Sequence, residues 1–374
     1  MPTVTEATPP IPLNDLSRGI ARDRQQLLEA TQRVLDSGYV IHGPEHRAFE
    51  RELAEFVGVA HAVGLATGTD ALELAIKAAM PANRSAVLTA ANAGGYTSTA
   101  ARRGGFSLVY ADVNDETLCL DISTLEAALT PEVGVVVMTH LYGQLSNISE
   151  IVRLCTTRGI ALVEDCAQAI GAKRDGVMAG AFGDLAAISF YPTKNLGALG
   201  DGGAVVTNST VLADRLRSLR QYGWGQKYNV ELRGGVNSRL DELQAAYLRV
   251  RLPLVNELNE RRRLILSRYR AAAANLPSDV LRVASSPGAH HVAHLAVARS
   301  DRRDEVRAQL AAAGIATDIH FPVPDYDQVG FASTTTHPLP VTAASSREIL
   351  SLPCFPEMTN EEIDRVCAAI SSLI

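Results

Sequence analysis

Lys194 lies in a sequence context that favours reaction of its amine with a carbonyl group. The apolar run Leu185 to Tyr191 has the length and composition of a strand buried on both faces, and Pro192 ends it. A lysine just past such a strand projects into a partly buried cleft, where desolvation lowers its pKa. Because a neutral amine forms Schiff bases, we predict that Lys194 anchors a carbonyl cofactor covalently; the alternative is a solvated surface lysine.

Asp165 is a second candidate, and it follows the short apolar run Ile160 to Val163. In open α/β sheets ligands bind at the carboxyl ends of the strands, and an acid there can keep a proton on a heteroaromatic nitrogen. The alternative is that Asp165 caps a following helix. The sequence alone leaves both interpretations open.

The segment after the predicted strand His61 to Ala66 has the pattern of an anion site. Thr67 to Asp70 contain a glycine turn, and the helical pattern Ala71 to Ala79 follows. Unpaired N–H groups and the helix dipole at such a helix start favour a phosphate. No Walker lysine and no G-x-G-x-x-G spacing accompany the turn, which disfavours nucleotide and dinucleotide sites. The alternative is an ordinary helix capped by a threonine.

A phosphate cradle, an acid for a ring nitrogen and an amine for an aldehyde together describe a pyridoxal 5′-phosphate site. The sequence also resembles the DegT/DnrJ/EryC1/StrS family of sugar aminotransferases, which adopt the aspartate aminotransferase fold (fold type I). The resemblance covers nearly the whole chain and is carried by SGYVIHGP (Ser37 to Pro44), ATGTDALELA (Ala66 to Ala75), HLYGQ (His140 to Gln144), VEDCAQAIGA (Val163 to Ala172), FGDLAAISFYPTKNLGALGDGGAVVTN (Phe182 to Asn208), NSRLDELQAA (Asn237 to Ala246) and SLPCFPEMTNEEID (Ser351 to Asp364).

The resemblance implies a role for each matching residue of the cofactor site. Lys194 matches the Schiff-base lysine, Asp165 matches the partner of the pyridinium nitrogen, and Gln168 matches the contact to the phenolic oxygen of the cofactor. The residues that match phosphate ligands are Gly68, Thr69, Ser189 and Asn237. In the family this asparagine reaches the phosphate from the partner subunit, so the resemblance implies a homodimer with shared active sites.

One segment departs from the family pattern. Relatives place an aromatic ring over the cofactor within a stretch such as PAFTFVATANAV, whereas this chain reads TAANAGGYTSTAA from Thr89 to Ala101. Gly94 stands at the ring position, and Tyr96 follows two residues later. We expect that either Tyr96 or another group covers the cofactor, and Tyr96 is included among the candidate cofactor contacts.

Substrate contacts are expected in two places near the ligand edge. Tyr142 follows the predicted strand Val133 to Met138, although core packing explains this residue equally well. His320 and Tyr326 lie in DIHFPVPDYDQ, which resembles the HYPIPxHxQ segment that relatives use near the sugar. The second histidine of that family segment is Tyr326 here.

Cations for a diphosphate are expected near Asn237. Lys227, Arg233 and Arg239 are close to it in sequence, and we take Lys227 and Arg239 as candidate substrate contacts. The alternative is that they are solvated surface charges, which is the commoner fate of Lys and Arg.

The resemblance implies transfer of an amino group from L-glutamate to a nucleotide-linked, dTDP-type keto-deoxysugar in deoxyaminosugar biosynthesis. The segments RQYGWGQKY and DIHFPVP are more similar to members that aminate carbon 3 than to the carbon 4 group. Carbon 4 amination is the first alternative. A sugar dehydratase is a second, but such relatives replace the lysine with histidine. A catalytically silent member is the third, and it should have lost the lysine, acid or glycine motifs.

Composition excludes several other classes. The chain has 374 residues, 35 Lys and Arg against 41 Asp and Glu, and a net charge of −6, which disfavours a nucleic-acid binder. Five cysteines without C-x-x-C spacing indicate reduced thiols in a cytoplasmic protein. The start MPTVTEATPPIPL predicts neither a signal peptide nor a membrane span. His290, His291 and His294 have no accompanying carboxylate or thiol cluster, so no metal site is predicted.

The order of elements predicts an α/β fold with a mostly parallel, seven-stranded sheet flanked by helices, and a smaller α+β carboxyl-terminal domain. We expect a tail at 1–15, a large cofactor-binding domain at 16–245 and a small domain at 246–374. The small domain should contain a strand at His291 to Ala298, a helix at Arg303 to Ala313, and a final helix that begins with a capping box of Thr359 and Glu362.

Overall fold

A seven-stranded sheet forms the centre of the computed structural model, which describes residues 9–284, 288–331 and 338–374. Its strands, in chain order, are β1 (His61–Leu65), β2 (Ala86–Ala90), β3 (Ser107–Ala111), β4 (Val133–Thr139), β5 (Ala161–Asp165), β6 (Leu185–Ser189) and β7 (Gly203–Thr207). They lie in the order β1-β7-β6-β5-β4-β2-β3, and only β7 runs antiparallel to its neighbours. The predicted mostly parallel sheet is confirmed.

Both faces of this sheet are covered, and that is why its strands read as continuous apolar runs. Successive residues of β7 show the alternation: Ala204 and Val206 pack into one buried cluster, whereas Val205 packs into another on the opposite face. The described helices are α1 (Leu16–Ser37), α2 (Pro44–Val57), α3 (Gly68–Ala79), α4 (Tyr96–Arg103), α5 (Ile122–Ala128), α6 (Ser149–Arg158), α7 (Thr210–Leu219), α8 (Glu242–Arg251), α9 (Val255–Ala273), α10 (Arg303–Ala312), α11 (Pro340–Glu348) and α12 (Asn360–Ser371).

The strand directions bring distant parts of the chain to one edge of the sheet. β4, β5 and β6 are parallel to one another, and β1 has the same direction because β7 is antiparallel to both β1 and β6. The carboxyl ends of these four strands therefore share an edge. The segments after β1, β4, β5 and β6 contain most of the chemical candidates, so the topology alone places them together.

A second, three-stranded antiparallel sheet lies in the carboxyl-terminal part, with β8 (Arg282–Val283), β9 (Ala296–Arg299) and β10 (Ile349–Leu352). The strand expected at His291 to Ala298 is limited to β9, because the preceding residues form turns and a single bridge from His291 to Gln144. The domain boundary after residue 245 stays a prediction; helix α8 runs across it.

The amino-terminal segment is ordered where the structure describes it. Ile11 is buried in the core of the carboxyl-terminal part and pairs with Ile315 in a parallel bridge. Asp15 then caps α1, since its side chain accepts a hydrogen bond from the N–H of Ser17. The first eight residues of the predicted tail lie outside the described residues.

Helix α12 begins with the predicted capping box, which the hydrogen bonds confirm. The N–H of Glu362 donates to Thr359 Oγ1 at 3.1 Å, and the N–H of Thr359 donates to Glu362 Oε2 at 2.8 Å. Among the described helices, none combines the length and apolar character that a membrane crossing requires.

Glu242, at the start of α8, caps a different helix. Its carboxylate accepts hydrogen bonds from the N–H groups of Gly43, Glu45 and His46 at 2.8, 2.6 and 3.2 Å, and the residue is fully buried. These donors are otherwise unpaired groups at the start of α2, where the helix dipole also favours a negative charge. A Cβ on Gly43 would lie 2.4 Å from Glu242 Oε1, so glycine is required for this close approach.

We predict that Glu242→Ala lowers the free energy of unfolding by about 2–4 kcal/mol, because it leaves buried N–H groups unpaired. Chemical denaturation of the variant and the wild type measures this difference. Glu52→Ala is the matched control, since Glu52 is 38% exposed and pairs with Arg249 at the surface; its expected cost is below about 1 kcal/mol. Equal effects of the two substitutions would contradict the assignment.

Candidate active site

A cavity of about 770 Å³ opens at the carboxyl edge of the central sheet. It is lined by the residues after the four parallel strands and by part of the carboxyl-terminal region. Its size lies in the range of small-molecule sites. The structure brings the following predicted residues together on its wall: Gly68, Thr69, Tyr96, Asp165, Gln168, Ser189, Lys194 and His320.

Lys194 reaches this cavity from a tight turn after β6. The N–H of Lys194 donates to the carbonyl of Tyr191 at 2.8 Å, and a Cβ on Gly197 would lie 2.4 Å from the carbonyl oxygen of Pro192, so the turn closes on a glycine. Part of the side chain remains accessible through the cavity, but protein surrounds the amine. Desolvation lowers the pKa of Lys194 to about 8, against the opposing attraction of the Asp165 carboxylate.

The turn is anchored by a buried network of side-chain amides that was not predicted from the sequence. Asn195 Nδ2 donates to Asn259 Oδ1 at 2.7 Å and to the carbonyl of Val292 at 3.1 Å. Asn195 Oδ1 is 2.9 Å from Nδ1 of His294. Because this amide oxygen can only accept, Nδ1 carries the proton and Nε2 is the acceptor nitrogen of a ring that lines the cavity.

His294 is neutral in this setting, because burial and the nearby Lys194 cation lower its pKa well below the usual value. In the sequence, His294 stood out only as one of three histidines that could suggest a metal. The signal available in the sequence was the polar residue Asn195 directly after Lys194; that it is buried and bonded to His294 emerges only from the tertiary structure.

Asp165 ends β5 and is buried, with two hydrogen bonds to its carboxylate. The N–H of Ala167 donates to Oδ1 at 3.0 Å, and Thr139 Oγ1 donates to Oδ2 at 3.3 Å. Burial raises the pKa of Asp165, while these bonds and the cation of Lys194 oppose that rise. No helix follows Asp165 among the next residues, which form turns, so the helix-cap alternative is wrong. A buried carboxylate of this kind gains most from a cationic partner.

Glu164 precedes Asp165 on β5 and therefore points to the opposite face of the sheet. Its Oε1 accepts from the N–H groups of Phe182 and Gly183, and its Oε2 accepts from Gly180 and contacts His140 Nε2 at 2.9 Å. Among the described residues, His140, Glu164 and Cys166 are the group whose spacing suits a metal. Since both Glu164 oxygens already have two partners, we interpret this group as support for the strand end.

The anion cradle forms at the start of α3. Thr67 caps the helix, since its Oγ1 accepts from the N–H of Asp70 at 3.0 Å, so the capped helix that the sequence offered as an alternative is present. The same helix start faces the cavity. A Cβ on Gly68 would lie 2.5 Å from Cβ and 2.8 Å from Oγ of Ser189, which places the serine hydroxyl beside the N–H groups of this turn.

These residues fit pyridoxal 5′-phosphate. The helix start and Ser189 offer donors for a phosphate, Asp165 offers a buried anion for a protonated ring nitrogen, and Lys194 offers an amine with a lowered pKa for the aldehyde. Gln168 Oε1 accepts from the N–H of Tyr142 at 2.6 Å, which leaves the amide N–H₂ as the donor of this cavity-lining residue. A donor there suits the phenolic oxygen of the cofactor.

The structure does not bring all predicted residues to the cavity of this chain. The Tyr142 hydroxyl donates to the carbonyl of His320 at 2.6 Å, so the residue supports the His320 segment from behind. Tyr326 packs against the apolar core on the α3 side of the sheet. Lys227 and Asn237 are exposed and Arg239 is half-buried, all away from the lining of the cavity.

Comparison with known proteins places the whole chain in one family. The model of the DegT/DnrJ/EryC1/StrS aminotransferase family matches residues 21–371. A dTDP-3-amino-3,4,6-trideoxy-alpha-D-glucose transaminase from Micromonospora megalomicea is 41% identical over 359 residues, which are 94% of this chain and 96% of the relative.

Solved structures agree with this placement. The crystal structure of DesV from S. venezuelae in complex with a ketimine intermediate is 38% identical, has a TM-score of 0.93, and matches 97% of this chain and 98% of that chain. NtdA from Bacillus subtilis, with the bound cofactor PMP, is 26% identical with a TM-score of 0.89, over 98% of this chain and 85% of that one.

We predict that the apoprotein combines with pyridoxal 5′-phosphate at a rate that rises about tenfold per pH unit and levels off above about pH 8, because only neutral Lys194 reacts. At pH 7 about one tenth of such an amine is neutral, against roughly one in three thousand for an ordinary lysine. Stopped-flow absorbance between about pH 6 and about pH 11.5 covers the ordinary lysine pKa of 10.5 and measures the profile, with a free lysine derivative as control. An inflection near that of the control would show that the amine is not desolvated.

Proposed function

The chain belongs to the DegT/DnrJ/EryC1/StrS aminotransferase family, and on that premise we propose that it uses pyridoxal 5′-phosphate to move the amino group of L-glutamate to carbon 3 of a dTDP-linked keto-deoxysugar. The observation that carries the proposal is the single cavity in which the Lys194 amine, the Asp165 carboxylate and the α3 anion cradle meet. Each of these groups suits a different part of the same cofactor.

When bound, the cofactor supplies an aldehyde that exchanges with amines and a pyridinium ring that takes up an electron pair. Asp165 would keep the proton on the ring nitrogen, which is the form that attracts electrons most strongly. Lys194 would hold the aldehyde in the resting protein. With glutamate bound in its place, the free Lys194 Nζ would accept the proton of the glutamate α-carbon, and in the second half-reaction it would deliver a proton to the former carbonyl carbon of the sugar.

The pKa of Lys194 suits this double task. A group that both takes and returns a proton works best when its pKa lies near the working pH. Burial lowers the pKa of Lys194 to about 8, so both protonation states are accessible in neutral solution. Because the same amine serves in both half-reactions, it adds the proton to the sugar from one side and thereby fixes the configuration of the product.

The substrate class is supported by the relative from Micromonospora megalomicea, which is named as a transaminase of a dTDP-3-amino sugar. Retention of Lys194 supports aminotransfer over the dehydration that histidine-containing relatives perform. Intact acid and glycine motifs on one cavity wall disfavour a catalytically silent protein.

A homodimer with shared sites is part of the proposal. The hairpin at 224–230 and Tyr222 just before it carry an aromatic group in which Tyr222 and Tyr228 are exposed and Trp224 is half-buried; its neighbouring ring centroids are 5.1 and 5.4 Å apart. Exposed apolar groups of this kind mark contact surfaces. Lys227 lies over the Tyr228 ring on the same hairpin, and Asn237 is exposed nearby in sequence. In a dimer these residues would serve the cavity of the partner.

We predict that the protein converts L-glutamate and a dTDP-3-keto-6-deoxyhexose to 2-oxoglutarate and a sugar that carries its amine on carbon 3, as NMR of the product would show. Lys194→Ala should lower the turnover number about 10³-fold or more, because the proton transfer loses its base. A dTDP-4-keto isomer is the competing substrate. Amination of that isomer alone would overturn the assigned carbon, and near-normal turnover of Lys194→Ala would overturn the role of the lysine.

Mixed dimers test whether the sites are shared. A homodimer of either variant, Lys194→Ala or Asn237→Ala, should have low activity. If the sites are shared, a heterodimer of the two variants has both substitutions in one active site and neither in the other. Random reassortment makes half of the dimers mixed, so about one quarter of wild-type activity should return. Reassortment of two Lys194→Ala preparations is the control. Recovery no greater than this control would show that Asn237 serves its own subunit.

A further inference from the structure

Two neighbouring glycines each face a phenylalanine ring from the carboxyl-terminal region. Gly94 and Gly95 have φ angles of 76° and 78°, which favour glycine. A Cβ on Gly94 would lie 2.8 Å from Cδ1 of Phe321, and a Cβ on Gly95 would lie 2.9 Å from Cε2 of Phe331. The glycines therefore allow two rings to approach the backbone before α4 more closely than any other residue type would permit.

Asp325 holds this arrangement together. Its carboxylate accepts hydrogen bonds from the N–H of Gly95 at 2.8 Å and from the hydroxyl of Ser98, and its own N–H donates to the carbonyl of Ala91 at 2.8 Å. The residue is 1% exposed, and burial raises its pKa to about 6. A buried carboxyl with these bonds fixes the segment around Phe321 to the start of α4.

The two rings differ in what they reach. Phe321 lines the cavity, and its ring lies edge-on to that of Tyr96, with centroids 5.8 Å apart and an interplanar angle of 76°. This is a favourable geometry for an aromatic pair. Phe331 contacts Gly95 in the same manner but does not line the cavity. Phe321 and Phe331 thus make the same kind of contact with a glycine backbone, and they differ in that only Phe321 reaches the cavity.

The Tyr96–Phe321 pair lines the same cavity as its two ionisable groups, Asp165 and Lys194. Tyr96 is close enough to Asp165 for that carboxylate to add to the effect of burial in raising the pKa of the Tyr96 hydroxyl. His320, the neighbour of Phe321, is close enough to Lys194 for the lysine cation to add to the effect of burial in lowering the pKa of the imidazole. A flat ligand held between Asp165 and Lys194 would therefore lie beside this pair.

We propose that Tyr96 and Phe321 form an aromatic wall against which the pyridine ring of the cofactor lies, with Asp325 as the residue that positions it. The proposal rests on the proposed function, since it needs pyridoxal 5′-phosphate in this cavity. It assigns the covering ring to the carboxyl-terminal region, which reaches into space that Gly94 leaves open. The 76° angle between the two rings lets a pyridine ring stack on one of them and meet the other edge-on, and both are geometries that aromatic rings favour.

The test measures the dissociation constant of pyridoxal 5′-phosphate by absorbance titration of three apoproteins: wild type, Phe321→Ala and Phe331→Ala. We expect Phe321→Ala to weaken binding about tenfold or more, and Phe331→Ala to change it less than twofold. Phe321→Tyr keeps the ring and should bind within twofold of the wild type. Thermal unfolding of each apoprotein reports whether the two alanine variants disturb the fold equally.

Each result decides the matter. If the wild type itself fails to bind the cofactor, the proposed function is wrong, whatever the variants do. If the wild type binds but Phe321→Ala binds equally well, the wall is wrong and the proposed function stands. If Phe321→Ala and Phe331→Ala weaken binding equally, the rings only maintain the loop, and the wall is likewise overturned.

Discussion

Lys194 and Asp165 are ionisable groups enclosed in one cavity, and each would be costly there as an isolated charge. Burial drives the lysine toward its neutral form and the aspartate toward its protonated form, while attraction between the two opposes both changes. The arrangement favours a ligand that reacts with a neutral amine at one end and offers a cation at the other. An aldehyde on a protonated heteroaromatic ring has both properties, and the surrounding fold maintains this geometry.

Glu164 and Asn195, the sequence neighbours that support the two groups, do not line the cavity. Asp165 is held at the end of β5, where the adjacent Glu164 binds three backbone N–H groups on the other face of the sheet. Lys194 is held by a turn whose next residue, Asn195, bonds to Asn259 and His294 in the interior. In both cases a neighbour in sequence fixes the backbone and the functional side chain extends into the cavity. On β5 this follows from the alternation of side chains along a strand, whereas at Lys194 the tight turn separates the two directions.

The carboxyl-terminal region completes the cavity as well as packing against the sheet. Asp325 binds the loop before α4, and Phe321 fills the space beside Gly94. The Tyr142 hydroxyl bonds the carbonyl of His320, and the His320 ring is 2.9 Å from the Ser351 hydroxyl on β10. The segment that carries Phe321 is therefore anchored from three sides, which a rigid wall of a binding site requires.

The sequence by itself determined the local chemistry: a strand followed by Lys194, a strand followed by Asp165, and a glycine turn at a helix start. These signals are local because strand runs, turn residues and caps depend on neighbours in the chain. The family motifs added the order in which the glycine turn, Asp165 and Lys194 follow one another along the chain. Tertiary structure alone decided that Asp165 caps no helix, that Tyr142 lies behind the cavity wall, and that Phe321 stands beside Gly94. The positions of Tyr142 and Phe321 depend on contacts between segments more than a hundred residues apart, where burial and steric fit, not local pattern, select the partner.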